Sequence, residues 1–326
     1  MLITNEELKK YIVGAVCYKE EDGLVPCRFT NEKVESTQED TVRKLRQLTS
    51  SGIKIDFYSD TESINFNYVA YVEFSSRLYK LYYFDVYVDD ALVLHQGEKE
   101  VTTDRSGKIS LKLKEGRKRI TIYLPGSCAV KISDFTIDDG SIIECVQYDK
   151  NVYFFGDSIT HTAYLDFPSL NYANIISNRF NYNSVNLAIG GDIFKKDHLT
   201  YFSDFKPDII YVAYGTNDWC HVNDTCPERI EEYFSELNSL FENSDVRVIL
   251  PIWRGDINDY RELKYSFEDV RNIIRKEAEK YDFSVYDGFN FVPHIDKLFY
   301  DKYLHPNEMG FSFYADSLEK CIGELV

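Results

Sequence analysis

Long apolar runs are missing from this 326-residue sequence. No stretch approaches the ~20 residues that a membrane-spanning helix needs. The opening Met1-Leu2-Ile3-Thr4-Asn5-Glu6-Glu7 has neither the basic leader nor the apolar segment of a secretory signal. These absences predict a soluble, cytoplasmic protein with no membrane partner. Basic residues are also scarce: 37 Lys and Arg stand against 54 Asp and Glu, a net charge of −17. Nucleic acid is therefore not expected as a partner, since binding phosphate needs a basic footprint. A neutral or cationic small molecule is easier to accommodate. Seven cysteines, at 17, 27, 128, 145, 220, 226 and 321, form an odd, scattered set without C-x-x-C spacing. Neither a disulfide framework nor a zinc site is indicated, and no metal or cofactor is expected. Internal repeats and low-complexity tracts are lacking too.

What is present is ample core material. Hydrophobic residues make up 44% of the chain, and 26 Tyr with 22 Phe offer large apolar areas, each tyrosine with a polar handle. The length exceeds the usual single core and predicts two domains. Residues 1–50 are poorly patterned, with Thr37-Gln38-Glu39-Asp40 leading into Thr41-Val42-Arg43-Lys44-Leu45 as a short turn or arm, and no function is assigned to them. From Ile53 the period becomes two: Ile53, Ile55, Phe57; Ile64, Phe66, Tyr68; Phe84, Val86, Val88; Ile109, Leu111, Leu113; Ile120, Ile122, Leu124. With turn signals such as Asp89-Asp90 and Pro125-Gly126 between them, these predict an all-β sandwich or jelly roll over residues 1–148.

From residue 149 to 326 the pattern alternates strand with helix. Apolar strands are expected at Val152–Phe155, Ser184–Ile189, Ile209–Tyr214, Val246–Ile252 and Ser284–Tyr286. Helical stretches are expected at Leu170–Phe180, Pro227–Asn243, Ser266–Tyr281 and after Pro306. Such alternation implies a parallel sheet covered on both faces. Ligands bind beyond the carboxyl ends of such strands, where this sequence places Gly156-Asp157-Ser158, Gly190-Gly191-Asp192 and Tyr214-Gly215-Thr216-Asn217. A fourth polar segment, Asp301-Lys302-Tyr303-Leu304-His305-Pro306-Asn307, precedes the last helix. Each of these alone reads as turn or capping chemistry. Together and in this order they resemble the SGNH (GDSL-type) hydrolases, with Ser158, Gly191, Asn217 and His305 as the four block residues. The upstream sandwich is similar to the jelly-roll domain that precedes the catalytic domain in some bacterial carbohydrate esterases.

The resemblance implies a flavodoxin-like three-layer α/β fold over 149–326 and acyl transfer through a serine. Ser158 is then the nucleophile and His305 its base, because a hydroxyl needs an imidazole to take its proton. The Ser158 and Gly191 N–H groups and the Asn217 amide would form the oxyanion hole. His161 and His221 compete for the base, but the family places it on the C-terminal loop. The family's aspartate stands three residues before the histidine; here that position is Lys302, and Asp301 stands four before. Asp301 is taken as the third member, with a Ser–His dyad as the alternative. Asp157 is read as structural. Asp192 and Trp219 are assigned to substrate binding, with Trp253 and Tyr164 as further aromatic candidates. The expected reaction is removal of a small acyl group, acetyl above all, from a carbohydrate or related polar ester. A lipid or aryl esterase, a thioesterase, a glycan-binding module and acyl transfer to another acceptor are the alternatives.

Overall fold

In the computed structural model, which describes residues 1–37, 40–72, 81–162, 164–259 and 262–323, the chain divides into two compact units. One comprises Met1–Tyr148 with Leu165–Ser169, the other Asp149–Tyr164 with Leu170–Val326. No described helix is long and apolar enough to cross a membrane.

The first unit is built from strands β1 (Ile12–Val13), β2 (Cys17–Glu21), β3 (Gly23–Cys27), β4 (Lys54–Ser59), β5 (Ser63–Tyr71), β6 (Tyr82–Val88), β7 (Ala91–Glu98), β8 (Arg105–Lys112), β9 (Lys118–Tyr123), β10 (Ala129–Ile137) and β11 (Ile143–Cys145). They form two antiparallel sheets, β1-β4-β9-β6-β7 with β11 on β4, and β2-β3-β10-β5-β8. The period of two does the work expected of it. In β5, Ile64, Phe66, Tyr68 and Ala70 are buried while their neighbours are not. These residues share one core with Ile55, Phe57, Phe84, Val86, Ile120 and Ile122 of the other sheet. The Tyr68 and Phe84 rings meet at 4.7 Å between centroids across that core.

Three features escaped the alternation. First, the polar positions of β4 are not solvated: Lys54 and Asp56 are buried as an ion pair at 3.0 Å. Arg119 (2.8 and 3.0 Å), Tyr148 (2.6 Å) and Thr121 (3.0 Å) also donate to Asp56. Burial alone would raise that carboxyl, but Lys54, Arg119 and Tyr148 outweigh it and hold it well below the usual carboxylate range. Second, the described part of residues 1–50 is structured. Arg28, fully buried, donates to the Thr49 and Arg46 carbonyls at 2.9 and 2.8 Å, and Asp40 caps the helix Thr41–Gln47. Of the expected Thr37–Asp40 turn, residues 38 and 39 lie outside the described residues.

Third, Leu165–Ser169 folds with the first unit although it follows the Gly-Asp-Ser motif. Phe167 stacks on His95 at 3.9 Å, and His95 on Tyr83 at 4.5 Å. The buried Asp85 carboxylate contacts His95 Nδ1 at 2.8 Å and accepts the Ser169 N–H and hydroxyl at 3.0 and 2.6 Å. Three partners satisfy a charge that burial would otherwise make costly.

The second unit holds a five-stranded parallel sheet of β12 (Lys150–Gly156), β13 (Tyr182–Asn186), β14 (Ile209–Ala213), β15 (Asp245–Ile249) and β16 (Ser284–Tyr286). Their order is β13-β12-β14-β15-β16. Right-handed crossovers place the connections on opposite faces once the order reverses after β13. Accordingly, helix Tyr172–Arg179 packs with Glu308–Gly323, and Cys226–Leu240 with Phe267–Glu279. The reversal point lies at the carboxyl ends of β12 and β14, where open sheets of this order bind their ligands.

Breaking a buried ion pair from one side leaves an uncompensated charge. Asp56→Asn is expected to lower stability by about 3–5 kcal/mol, measured by urea unfolding. A loss below about 1 kcal/mol would mean that Lys54 and Arg119 find other partners.

Candidate active site

The turn that carries Ser158 begins where β12 ends. Gly156 is needed there because a Cβ would lie 2.3 Å from Thr160 Oγ1 and 3.0 Å from the Ala213 carbonyl oxygen. The turn that follows is tied down on several sides. Asp157 Oδ1 accepts the Ile159 N–H (2.9 Å), and the Ile159 and Thr160 carbonyls accept from the Asn171 and Asn186 amides at 3.0 and 2.8 Å. Thr160 Oγ1 and the Tyr172 hydroxyl share a hydrogen bond of 2.8 Å. Ser158 is thus presented on a rigid turn, half-buried.

His305 stands just before helix Glu308–Gly323, and its Nε2 lies 2.7 Å from Ser158 Oγ. On the other side its Nδ1 lies 2.6 Å from Asp301 Oδ2. The four-residue spacing works because Lys302 takes a left-handed conformation (φ 72°), which curls the loop around the carboxylate. Asp301 Oδ1 then accepts three backbone N–H groups, from Tyr303 (3.2 Å), Leu304 (2.8 Å) and His305 itself (3.0 Å). Burial would raise the Asp301 carboxyl, but the hydrogen bond from His305 and the Leu304 and His305 backbone N–H groups hold it at about 2. An ionised carboxylate only accepts, so Nδ1 carries the proton and Nε2 is left to accept from the Ser158 hydroxyl. Tyr164 covers the imidazole at 4.1 Å between ring centroids.

Gly191 and Asn217, the other candidate residues, stand in the segments that follow β13 and β14. Gly191 is exposed and left-handed (φ 78°), a conformation that favours glycine. Asn217 sits in the first turn of helix Thr216–His221 and donates one Nδ2 hydrogen to the Asp192 carbonyl at 2.9 Å. Its second hydrogen remains for a ligand. Among the described residues, neither the Ser158 nor the Gly191 N–H meets a protein acceptor. The structure therefore gathers Ser158, His305, Asp301, Gly191 and Asn217 at one end of the sheet.

Two residues assigned to substrate binding lie elsewhere than expected. Asp192 is 4% exposed, its carboxylate 2.6 Å from His198 Nδ1. Trp219 is 3% exposed, under the Arg254 guanidinium, which lies 4.8 Å from its ring centroid. Each side chain is buried against a partner, Asp192 against His198 and Trp219 against Arg254. The competing histidines are also accounted for. His161 is buried with Nδ1 accepting the Gly190 N–H (3.1 Å), and His221 is exposed at its helix end. Trp253 stacks on His294 at 4.9 Å.

Sequence reasoning missed Arg254, which follows β15 and donates to Thr216 Oγ1 (2.8 Å) while gripping Asp256 with both arms of its guanidinium. It missed Asp218 as well. That buried carboxylate takes the Phe194 N–H at 3.1 Å and Arg229 at 2.6 Å. Charged residues a few positions beyond an apolar strand were the available signal. Among the described residues no group of three or more His, Cys, Asp or Glu is placed to hold a metal ion.

Asp157, beside the nucleophile, lines a small cavity of about 20 Å³ with Thr216 and Tyr314. Burial pushes its carboxyl up to about 7, against the Ile159 N–H and with Asp218 and Asp192 adding to the rise. The folded protein therefore keeps this proton at pH values where the unfolded chain has lost it, and stability declines as pH rises from about 4 toward about 7. Asp157→Asn keeps an oxygen for Ile159 without the charge. It is expected to unfold at a higher temperature than the parent at pH 8, with the difference shrinking toward pH 4. An equal or reversed difference at the two pH values would show that the carboxyl does not hold its proton.

Residues 154–312 match the profile of the GDSL-like lipase/acylhydrolase family. No curated protein matches the sequence. Among solved structures, a salicylyl-acyltransferase from a tetracycline biosynthetic pathway is similar with a TM-score of 0.83 at 19% identity, over 96% of this chain and 94% of that one. A GDSL-like lipase structure from Bacteroides ovatus gives 0.73 at 17%, over 96% and 94%. An acetyl xylan esterase from the rumen bacterium Butyrivibrio proteoclasticus gives 0.64 at 13%, over 100% and 98%. At these identities the structural likeness speaks for the fold, and the family assignment rests on the matched profile and the four motifs. Residues 154–312 are a GDSL-like lipase/acylhydrolase domain.

Proposed function

We propose that the second unit is a serine esterase that removes a small acyl group, acetyl foremost, from a hydroxyl of a carbohydrate or related polar molecule. The observation that carries this reading is the continuous line from Ser158 Oγ through His305 to Asp301, with contacts of 2.7 and 2.6 Å. Ser158 attacks the ester carbonyl while His305 Nε2 takes its proton. Asp301, ionised, stabilises the imidazolium that forms. Charge on the former carbonyl oxygen falls to the Ser158 and Gly191 N–H groups and the free hydrogen of Asn217, donors of a kind worth about 3–4 kcal/mol each. The imidazolium then returns its proton to the leaving alcohol, and water, activated by the same base, releases the acid from the acyl-serine.

The carbohydrate part is supported by the fold shared with an acetyl xylan esterase across the whole chain. A second reading, acyl transfer to an acceptor hydroxyl, is favoured by the TM-score of 0.83 with a salicylyl-acyltransferase. The acylation half is the same in both. Only the group that attacks the acyl-serine differs, and product analysis with an added sugar or alcohol separates hydrolysis from transfer.

An organophosphonate probe is expected to add once to the parent protein and not to Ser158→Ala, as read by intact mass. Acetyl nitrophenyl ester is expected to turn over faster than octanoyl; the opposite order would sink the acetylesterase reading. Asp301→Asn is expected to lower kcat by about 10³–10⁴, since it loses both the tautomer and the charge that serve the base. A rate within a few-fold of the parent would favour the Ser–His dyad.

A further inference from the structure

Resting on the esterase reading, we propose that His198 is a positioning residue of the oxyanion hole, acting through Asp192 on both Gly191 and Asn217. Asp192 is the joint of that region. Its N–H donates to the Ile189 carbonyl at 3.0 Å, which closes the turn carrying Gly191. Its carbonyl accepts from Asn217 Nδ2 at 2.9 Å, which fixes the direction of the amide. Its carboxylate is buried against His198 Nδ1 at 2.6 Å. One residue thus sets the N–H on one side of the developing oxyanion and the amide on the other.

The loop is fastened again beyond this joint. Phe194 donates its N–H to Asp218, which Arg229 holds at 2.6 Å, and its ring is enclosed by Tyr214, Tyr233 and Phe234. These contacts anchor position 194, while the Asp192 backbone is held by its bonds to Ile189 and Asn217, and the Asp192 side chain against His198 adds a further hold on the 191–192 peptide. His198 comes from the short turn Lys196–His198, closed by the His198 N–H on the Lys195 carbonyl at 2.9 Å. Without its ring, a carboxylate in the interior would lose this donor and turn toward water, carrying the backbone with it. The terminal torsion of an asparagine is soft, so the Asn217 amide would lose its aim as its acceptor moved. Oxyanion donors work because they are already in place when charge develops, and a donor that must be reoriented loses that advantage.

Three proteins decide the matter: the parent, His198→Gln and His198→Met. The two substitutes are close in length, and only Gln keeps an N–H donor for Asp192. Turnover of acetyl nitrophenyl ester, phosphonate labelling and thermal unfolding are measured on each full-length chain. The Met variant is expected to lose about tenfold or more in kcat with KM within about twofold of the parent, and Gln to recover to within about threefold of the parent. Unfolding midpoints of the two variants are expected to agree. If Met does not fold, Asp192→Asn, which weakens the same contact without removing the joint, is expected to show the same loss in kcat. The proposal is overturned if Met retains the parental kcat, if Met and Gln are equally impaired, or if the change falls on KM alone. A parent that neither turns over ester nor labels at Ser158 overturns the esterase reading itself, and the proposal with it.

Discussion

The contact between Asp301 and His305 governs what the rest of the site is able to do. An imidazole next to a serine accepts a proton only if its other nitrogen already carries one, and the carboxylate 2.6 Å away enforces that state. The same carboxylate receives three N–H groups of its own loop, so the loop folds around the charge that it positions. Sheet order supplies the remaining geometry. With β12 and β14 adjacent, Ser158 and Asn217 emerge side by side from neighbouring strand ends, although nearly sixty residues of chain separate them.

Much of this could be read from residue order alone. Ser158, Gly191, Asn217 and His305 each follow an apolar run or precede a helix, and the alternation of strand with helix gives the layer they stand on. Asp301 was named as the partner of His305 although its spacing is one residue too long, and what the count of positions does not display is the left-handed turn at Lys302 that shortens the path. The burial of Asp192 and Trp219 was not visible for a related reason. Polarity and aromaticity suggest surface roles, while burial is decided by partners distant in sequence, His198 and Arg254. In the first unit, β2 and β3 were illegible: Cys-Tyr-Lys-Glu-Glu has no apolar alternation, and the Gly-Leu-Val-Pro-Cys run contains a proline.

Buried carboxylates recur through the second unit, and they fall into two kinds. Asp218 has an arginine and Asp192 a histidine, while Asp157 has a backbone N–H and a small cavity. The paired ones fix loops that carry the anion-binding groups; Asp157 fixes the nucleophile turn through a hydrogen bond that a neutral side chain can also make. Burial raises the proton affinity of Asp157 and of Asp218 alike, and at Asp218 the Arg229 charge works against that rise.

The five residues Leu165–Ser169 bear on modularity. The chain passes from the first unit to the second, returns for this short segment, and passes over again. A fragment beginning at residue 149 therefore carries off Ser169 and Phe167, and the half left behind keeps Asp85 with only His95 to answer its charge. A cut at residue 149 is therefore not a cut between the two units, and a clean separation would need these five residues supplied to the first one.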